Sequence, residues 1–178
     1  MRKLAVVLGV VAVAVVAIAA SVAVASNGNN PFRASLDGYQ EVVGPGSIST
    51  IGRGTFEARV DPSDMTISFT LTYTLENPAN QAHIHFAQEH VGGGVIAFLC
   101  GGGSKPPCPP GTTEEATVTG VITAADIIGP AGQGIEPGSF AEAVRAMKAE
   151  ATYANVHSSR WPAGEIRGQI QADNDDDK

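Results

Sequence analysis

An unbroken alternation of apolar and polar side chains over residues 65–76 is the feature that most restricts the fold. Apolar side chains occupy every odd position, and hydroxyl or carboxylate side chains occupy every even position. Because successive side chains of a β-strand point to opposite faces, this pattern predicts a strand with one face buried. The turn sequence Asp61-Pro62-Ser63-Asp64 precedes it, and Thr55 to Val60 alternates in the same way. The two segments therefore predict a hairpin.

From Phe32 onward the chain continues with short β-prone segments separated by Gly, Pro, Asn or Asp. Such a series is typical of antiparallel β-proteins, and we predict an all-β, antiparallel Greek-key β-sandwich of about eight strands in two sheets. The further predicted strands are Arg33 to Val42, Gln81 to Gln88, Gly94 to Leu99, Ala116 to Thr123, Ala151 to His157 and Glu165 to Gln171.

One short amphipathic helix interrupts the strands. Ser139 and Glu142 have the spacing of a capping box, in which each side chain satisfies a free amide at the start of a helix. The apolar residues that then recur on one helical stripe are Phe140, Ala143, Val144 and Met147. We expect this helix to cover an open end of the sandwich.

The first 25 residues form a predicted leader. Arg2 and Lys3 precede an apolar run from Leu4 to Ala20, and Ala23-Val24-Ala25 has the small-x-small pattern of a signal-peptidase site. The run approaches the ~20 residues that span a bilayer, so an uncleaved N-terminal anchor is the alternative. Both interpretations place the domain outside the cytoplasm, secreted or associated with the cell envelope. Membrane contact is expected only through this segment.

Cleavage after Ala25 would leave 153 of the 178 residues, which suits one domain with a single core. We expect a flexible lead over residues 26–31, the folded domain over residues 32–171 and an acidic, disordered tail over residues 172–178. Loss of Arg2 and Lys3 would change the formal net charge from −7 to −9, and no basic cluster remains. This charge distribution excludes nucleic acid as the expected partner.

The two cysteines, Cys100 and Cys108, flank the loop sequence Gly-Gly-Gly-Ser-Lys-Pro-Pro. In an exported protein, two thiols separated by a short turn-forming loop favour a disulfide. A zinc site based on cysteine is the alternative, but a structural site usually has four ligands and a closer cysteine pair.

Three of the four histidines lie within residues 81–90. In the predicted strand Gln81 to Gln88, alternation places His83 and His85 on the face opposite Ile84. The last two predicted strands alternate in the same way, so that three strands send polar side chains toward one face. The side chains expected to converge there are His83, His85, Tyr153, Asn155, His157, Glu165 and Arg167.

This convergence permits two kinds of site. His83, His85 and His157 could bind one copper or zinc ion with an open fourth position, and Glu165 or Asn155 could orient an imidazole N–H. Alternatively, the cluster is a hydrogen-bonded network or a contact surface for a partner. His90 could add a fourth ligand, but its position before a glycine run favours a loop. Trp161 is predicted in the loop between the last two strands, where it either anchors a ligand or packs over the polar cluster.

Four segments together resemble the CHRD domain, a module named after chordin. They are "FRASLDGYQEV", "AHIHFAQ", "GVIAFLC" and "YANVHSSRWPAGEIRGQI", and the resemblance extends from Phe32 to about Ile170. It implies a β-sandwich with immunoglobulin-like or superoxide-dismutase-like layering and an extracellular role, but no reaction.

The sequence contains no nucleophile elbow, zinc-protease or phosphate-binding motif. We therefore expect a binding or structural module without catalytic activity, whose partner is an extracellular protein or a component of the envelope. The alternative is a mononuclear copper or zinc protein.

Overall fold

The computed structural model describes residues 31–43, 46–63 and 65–173. The predicted leader, residues 1–25, and the last five residues of the predicted tail lie outside the described residues. The strands are β1 (Phe32–Asp37), β2 (Arg53–Asp61), β3 (Thr66–Thr74), β4 (Ala79–Phe86), β5 (Gly94–Cys100), β6 (Ala116–Ile122), β7 (Thr152–Ser158), β8 (Ile166–Gln169) and β9 (Gln171–Ala172), with helix α1 (Phe140–Lys148) before β7.

The strands form one antiparallel sheet, which confirms the all-β prediction. Their order is β5-β4-β7-β8-β1-β2-β3-β6, and β9 also pairs with β1. The predicted division into two Greek-key sheets is not found. The reason is β1, which pairs with β2 along one side and with β8 and β9 along the other, so that it joins the two halves of the sheet.

The sheet curls until its two edge strands, β5 and β6, approach each other in a nearly closed barrel. The predicted disulfide between Cys100 and Cys108 is present, and it closes the loop that follows β5. Within this loop, Lys105 Nζ donates to Val121 O of β6 at 2.7 Å and forms an ion pair with Asp126 at 2.9 Å. The loop thus occupies an exposed strand edge that would otherwise present free carbonyls.

Six of the predicted strands agree with the structure to within two residues at each end. The first predicted strand is too long, because the Asp37 side chain accepts the N–H groups of Tyr39 and Gln40 and starts a 3-10 turn there. The last predicted strand is divided at Ile170 into β8 and β9.

Backbone pairing extends to residues beyond both predicted domain boundaries. Asp173 in the predicted tail donates its N–H to Pro31 O in the predicted lead, at 2.7 Å. Ala172 pairs with Phe32 as part of β9.

Inward-facing side chains of the strands form one core, in which Phe56, Leu71 and Ile166 are fully buried. Helix α1 adds Phe140 and Met147 to this core, as its apolar stripe predicts. The predicted capping box is not formed. Ser139 is the N-cap residue but makes no side-chain cap bond, and Glu142 pairs with Arg145 one turn later. Within the described part of the chain, no helix has both the length and the apolar character needed to cross a membrane.

Reduction of the disulfide tests the role of the loop between Cys100 and Cys108. Removing a crosslink that closes a loop of this size (sequence separation 8) should lower the free energy of unfolding by about 2–3 kcal/mol. Urea unfolding of oxidised and reduced protein measures the difference, and the Cys100→Ala/Cys108→Ala variant should match the reduced protein. Equal urea midpoints for oxidised and reduced protein would contradict this role.

Candidate functional site

The outer face of strands β4, β7 and β8 carries a cluster of polar side chains. These strands are neighbours in the sheet, and their register places His83 opposite Asn155 and His85 opposite Tyr153. In the next pair, Asn155 lies opposite Arg167. The alternate residues, including Ile84, Val156 and Ile166, are buried in the core on the other face. Six of the seven side chains expected to converge therefore share this face, and the seventh, Glu165, bonds elsewhere.

His83, His85 and His157 form a compact triad. Each of the three offers one ring nitrogen, and these nitrogens all lie within 4.8 Å of one another. His83 Nδ1 is 3.0 Å from His157 Nε2. The three residues are 4%, 8% and 8% exposed, so the triad is covered although it lies on the outer side of the sheet.

Main-chain carbonyls fix the orientation of two of the rings. His85 Nδ1 donates to Gly93 O and His157 Nδ1 donates to Pro162 O, both at 3.0 Å. Because a carbonyl can only accept, Nδ1 carries the proton in both neutral rings and Nε2 carries a lone pair. His83 Nδ1 must then donate to the lone pair of His157 Nε2. His85 Nε2 is buried and has no hydrogen-bond partner among the described residues.

The loop before β5 can hold His85 only because residue 93 is glycine. A Cβ atom at this position would lie 1.9 Å from Phe86 O, which is an impossible contact. The same residue uses its N–H, which donates to the Tyr153 hydroxyl at 3.3 Å. Gly93 therefore connects the loop to both β4 and β7.

Tyr153 lies between His85 and Arg167. Its ring stacks on His85 with a centroid distance of 4.7 Å and an interplanar angle of 4°. From the strand on the other side, Arg167 places its guanidinium carbon 3.5 Å from the Tyr153 ring centroid. Arg167 is 1% exposed and donates to Gln88 O at 3.0 Å. This stack holds the His85 ring in place from the side of β8.

Asn155 takes part in a polar network and does not contact an imidazole through its hydrogen bonds. Its amide donates to Glu41 Oε1 and to Ile166 O, not to a histidine. Gly164 packs against this pair, since a Cβ atom there would lie 2.6 Å from Glu41 Oε1. The sequence pattern does not identify Glu41, because it was assigned to the end of a strand and the turn after Asp37 brings it to the cluster.

Glu165 is fully buried but does not orient an imidazole. Its Oε1 accepts from Thr50 Oγ1 at 2.9 Å and from Glu76 N at 3.2 Å. Glu165 precedes the first residue of β8, so strand alternation does not determine its direction. In the structure, the carbonyls of Gly93 and Pro162 orient the imidazoles, which is the role that the sequence suggested for Asn155 or Glu165.

His90 and Trp161 lie in loops next to the cluster. The His90 side chain is 72% exposed, as the loop prediction implies. Trp161 is half-buried in the connection between β7 and β8, directly before the proline that holds His157.

Burial keeps the three imidazoles uncharged. It lowers the pKa of His83 from 6.5 to about 3, with further lowering from His157 and His85. It lowers the pKa of His85 to about 4, although the bond to Gly93 acts in the opposite direction. The pKa of His157 is also lowered by burial. Burial raises the pKa of Glu41 from 4.5 to about 7, against the effects of Asn155 and Arg167.

These shifts predict that metal-free protein loses stability below pH 6.5. The unfolded chain then binds protons at three histidines that the folded state keeps neutral, at a cost of up to about 1.4 kcal/mol per pH unit for each group. Glu41 acts in the opposite direction between pH 7 and 4.5, because the folded state retains its proton. Because three histidines act against one glutamate, the net result is a loss of stability as the pH falls. Urea unfolding in chelator between pH 7.5 and 5 measures it.

His157→Gln should reduce the slope of the unfolding free energy against pH by about the contribution of one histidine. His90→Gln, a change at the exposed histidine, is the matched control and should keep the wild-type profile. An unfolding free energy that stays constant or rises from pH 6.5 to 5 would show that the triad is not held neutral.

No curated protein and no solved structure matches the chain. The CHRD domain family matches residues 32–170. This span includes strands β1 to β8, the histidine triad and the disulfide. This span is well over half of the 178 residues. The chain belongs to the CHRD domain family.

Proposed function

We propose that this protein is an exported binding module that holds one copper or zinc ion through His83, His85 and His157. Membership in the CHRD family suggests a binding or structural module. The observation that carries the finer proposal is the triad itself, whose three ligand nitrogens lie within 4.8 Å of one another.

The spacing of the nitrogens suits a metal with imidazole ligands. With Zn–N bonds of ~2.0–2.1 Å, two nitrogens of a tetrahedral site lie about 3.3 Å apart. In the metal-free protein the 3.0 Å between His83 Nδ1 and His157 Nε2 spans a hydrogen bond, and this distance is close to the required value. For both atoms to bind the metal, the proton on His83 Nδ1 would have to move to His83 Nε2 or be released on binding. The widest pair would have to close by at most about 1.5 Å, which small rotations of the side chains supply.

The protonation of the triad also supports this function. A metal ligand must be a neutral imidazole with a free lone pair, and binding at ordinary histidines competes with protons. Burial already keeps all three rings neutral. The carbonyls of Gly93 and Pro162 direct the protons of two rings to Nδ1, which leaves Nε2 free. Metal-binding histidines in proteins are commonly oriented in this way.

A purely structural network accounts for the triad less well. It would leave His85 Nε2 buried without a partner among the described residues, at a cost of about 1–3 kcal/mol. An exposed contact surface fits poorly with side chains that are 4–8% exposed. A metal ion would coordinate His85 Nε2 together with one ring nitrogen each of His83 and His157.

Export is part of the proposal. It is supported by the predicted leader and by the disulfide between Cys100 and Cys108, since disulfides persist in oxidising compartments. An extracellular protein or envelope component as a further partner stays a prediction, and no reaction is proposed.

Titration of metal-free protein with Cu²⁺ alone and with Zn²⁺ alone tests the function. One equivalent of one of these ions should bind, and His85→Ala should weaken binding by roughly 100-fold or more, because it removes a ligand and not only its hydrogen-bond partner. At a free ion concentration 1,000 times the Kd, the wild-type protein should gain about 4.1 kcal/mol of stability. Calorimetry and thermal unfolding measure the two effects.

His90→Ala is the matched control, since this histidine is exposed and outside the triad. It should bind the ion with wild-type affinity. The proposal fails if neither ion binds stoichiometrically, or if His90→Ala loses the ion while His85→Ala retains it.

A further inference from the structure

Phe98 packs against the triad from the side of β5. This strand is an edge strand of the sheet, so the outer face of β4 ends there. Phe98 lies opposite His83 in the register between β4 and β5. The two ring centroids are 4.5 Å apart with an interplanar angle of 67°, which is an edge contact. The phenyl ring therefore stands between His83 and the edge of the sheet.

The loop that follows β5 packs in turn on Phe98, through two glycines. A Cβ atom at Gly102 would lie 2.2 Å from Phe98 Cε1, so a larger residue cannot fit here unless the ring moves. A Cβ atom at Gly103 would lie 3.4 Å from the same ring. The loop backbone, the phenyl ring and the His83 imidazole thus form a continuous stack of contacts.

A disulfide holds this loop against β5. Cys100 is the last residue of the strand and is 1% exposed, and Cys108 lies on the returning part of the loop. The outer part of the loop is also tied to Asp126, by Lys105 at 2.9 Å and by Ser104 at 3.0 Å. Because those contacts are non-covalent, the disulfide is the restraint that most limits the conformations of the loop.

The other two imidazoles of the triad are covered in a different way. Their covers are the Gly93 carbonyl and the Tyr153 ring for His85, and the Pro162 carbonyl for His157. These contacts contain no bond that a thiol reductant can break. The surroundings of His83 therefore depend on the oxidation state of the two cysteines, and those of His85 do not.

We propose that Phe98 and the disulfide loop form a redox-controlled cover on the triad. With the disulfide intact, the loop keeps Phe98 against His83 and slows exchange of the metal. A dithiol reductant opens the cover: its two thiols become one disulfide, the bond between Cys100 and Cys108 breaks, and each sulfur takes up a proton. Phe98 is then free to turn away from His83. The regulatory role rests on the proposed function, but the cover itself requires no bound ion.

Modification of the histidines in metal-free protein tests the cover. Diethyl pyrocarbonate modifies neutral imidazoles, and peptide mass spectrometry gives the rate at each histidine. Cys100→Ala/Cys108→Ala imitates the open state without thiols, which would react with the reagent. His83 should react at least about tenfold faster in this variant, because the loop has lost its restraint. His85 should keep its wild-type rate, and the exposed His90 is the internal reference.

Gly102→Ala tests the contact with Phe98 while the disulfide stays intact. The added Cβ must displace the ring, so His83 should again react faster than in wild type. Gly132→Ala is the matched control, because a Cβ there would meet no atom within 4 Å beyond its chain neighbours. It should keep the wild-type rate. The proposal is overturned if either the cysteine variant or Gly102→Ala leaves the His83 rate unchanged, or if His85 becomes reactive to the same extent.

Release of Zn²⁺ separates this inference from the proposed function. The zinc-loaded cysteine variant should release its ion to excess chelator roughly tenfold faster than loaded wild type. If Zn²⁺ does not bind to wild type, the rates at His83 alone decide whether the cover exists. If Zn²⁺ binds but its release and the His83 rate are unchanged in the variant, the cover is refuted and the metal site stands.

Discussion

The antiparallel register between β4 and β7 is the constraint on which the outer face of this domain depends. It places His83 and His85 beside β7 and within reach of His157, while Ile84 and Val156 enter the core. A slip of one residue would exchange these faces, exposing the aliphatic side chains and burying imidazoles in an apolar core. The hydrophobic effect that stabilises the core therefore also determines the position of the triad.

A layer of loops converts this face into an enclosed site. Gly93 and Pro162 each contribute a carbonyl that orients one imidazole, and Tyr153 and Arg167 support His85 from the side. Because these loops exclude water, the rings remain neutral and available as ligands.

Local patterns were sufficient to predict much of this architecture. Alternation identified the strands and their buried faces, the cysteine spacing identified the disulfide, and short motifs indicated the CHRD family. Contacts between distant segments could not be predicted. β1 joins the sheet into one by pairing with β8 and β9 on the side opposite β2. Glu41 reaches Asn155 after a turn, and Glu165 bonds to Thr50 and not to a histidine. None of these has a periodic signal, since each depends on where the folded chain returns. The ligand role of the triad stays a prediction.

The most direct measurement is a crystal structure of protein loaded with one equivalent of copper or zinc, with anomalous diffraction recorded at the absorption edge of that metal. We expect a single strong peak about 2.0–2.1 Å from one ring nitrogen of each of His83, His85 and His157. A peak located elsewhere, such as at His90, with the triad still joined by the bond between His83 Nδ1 and His157 Nε2, would contradict it.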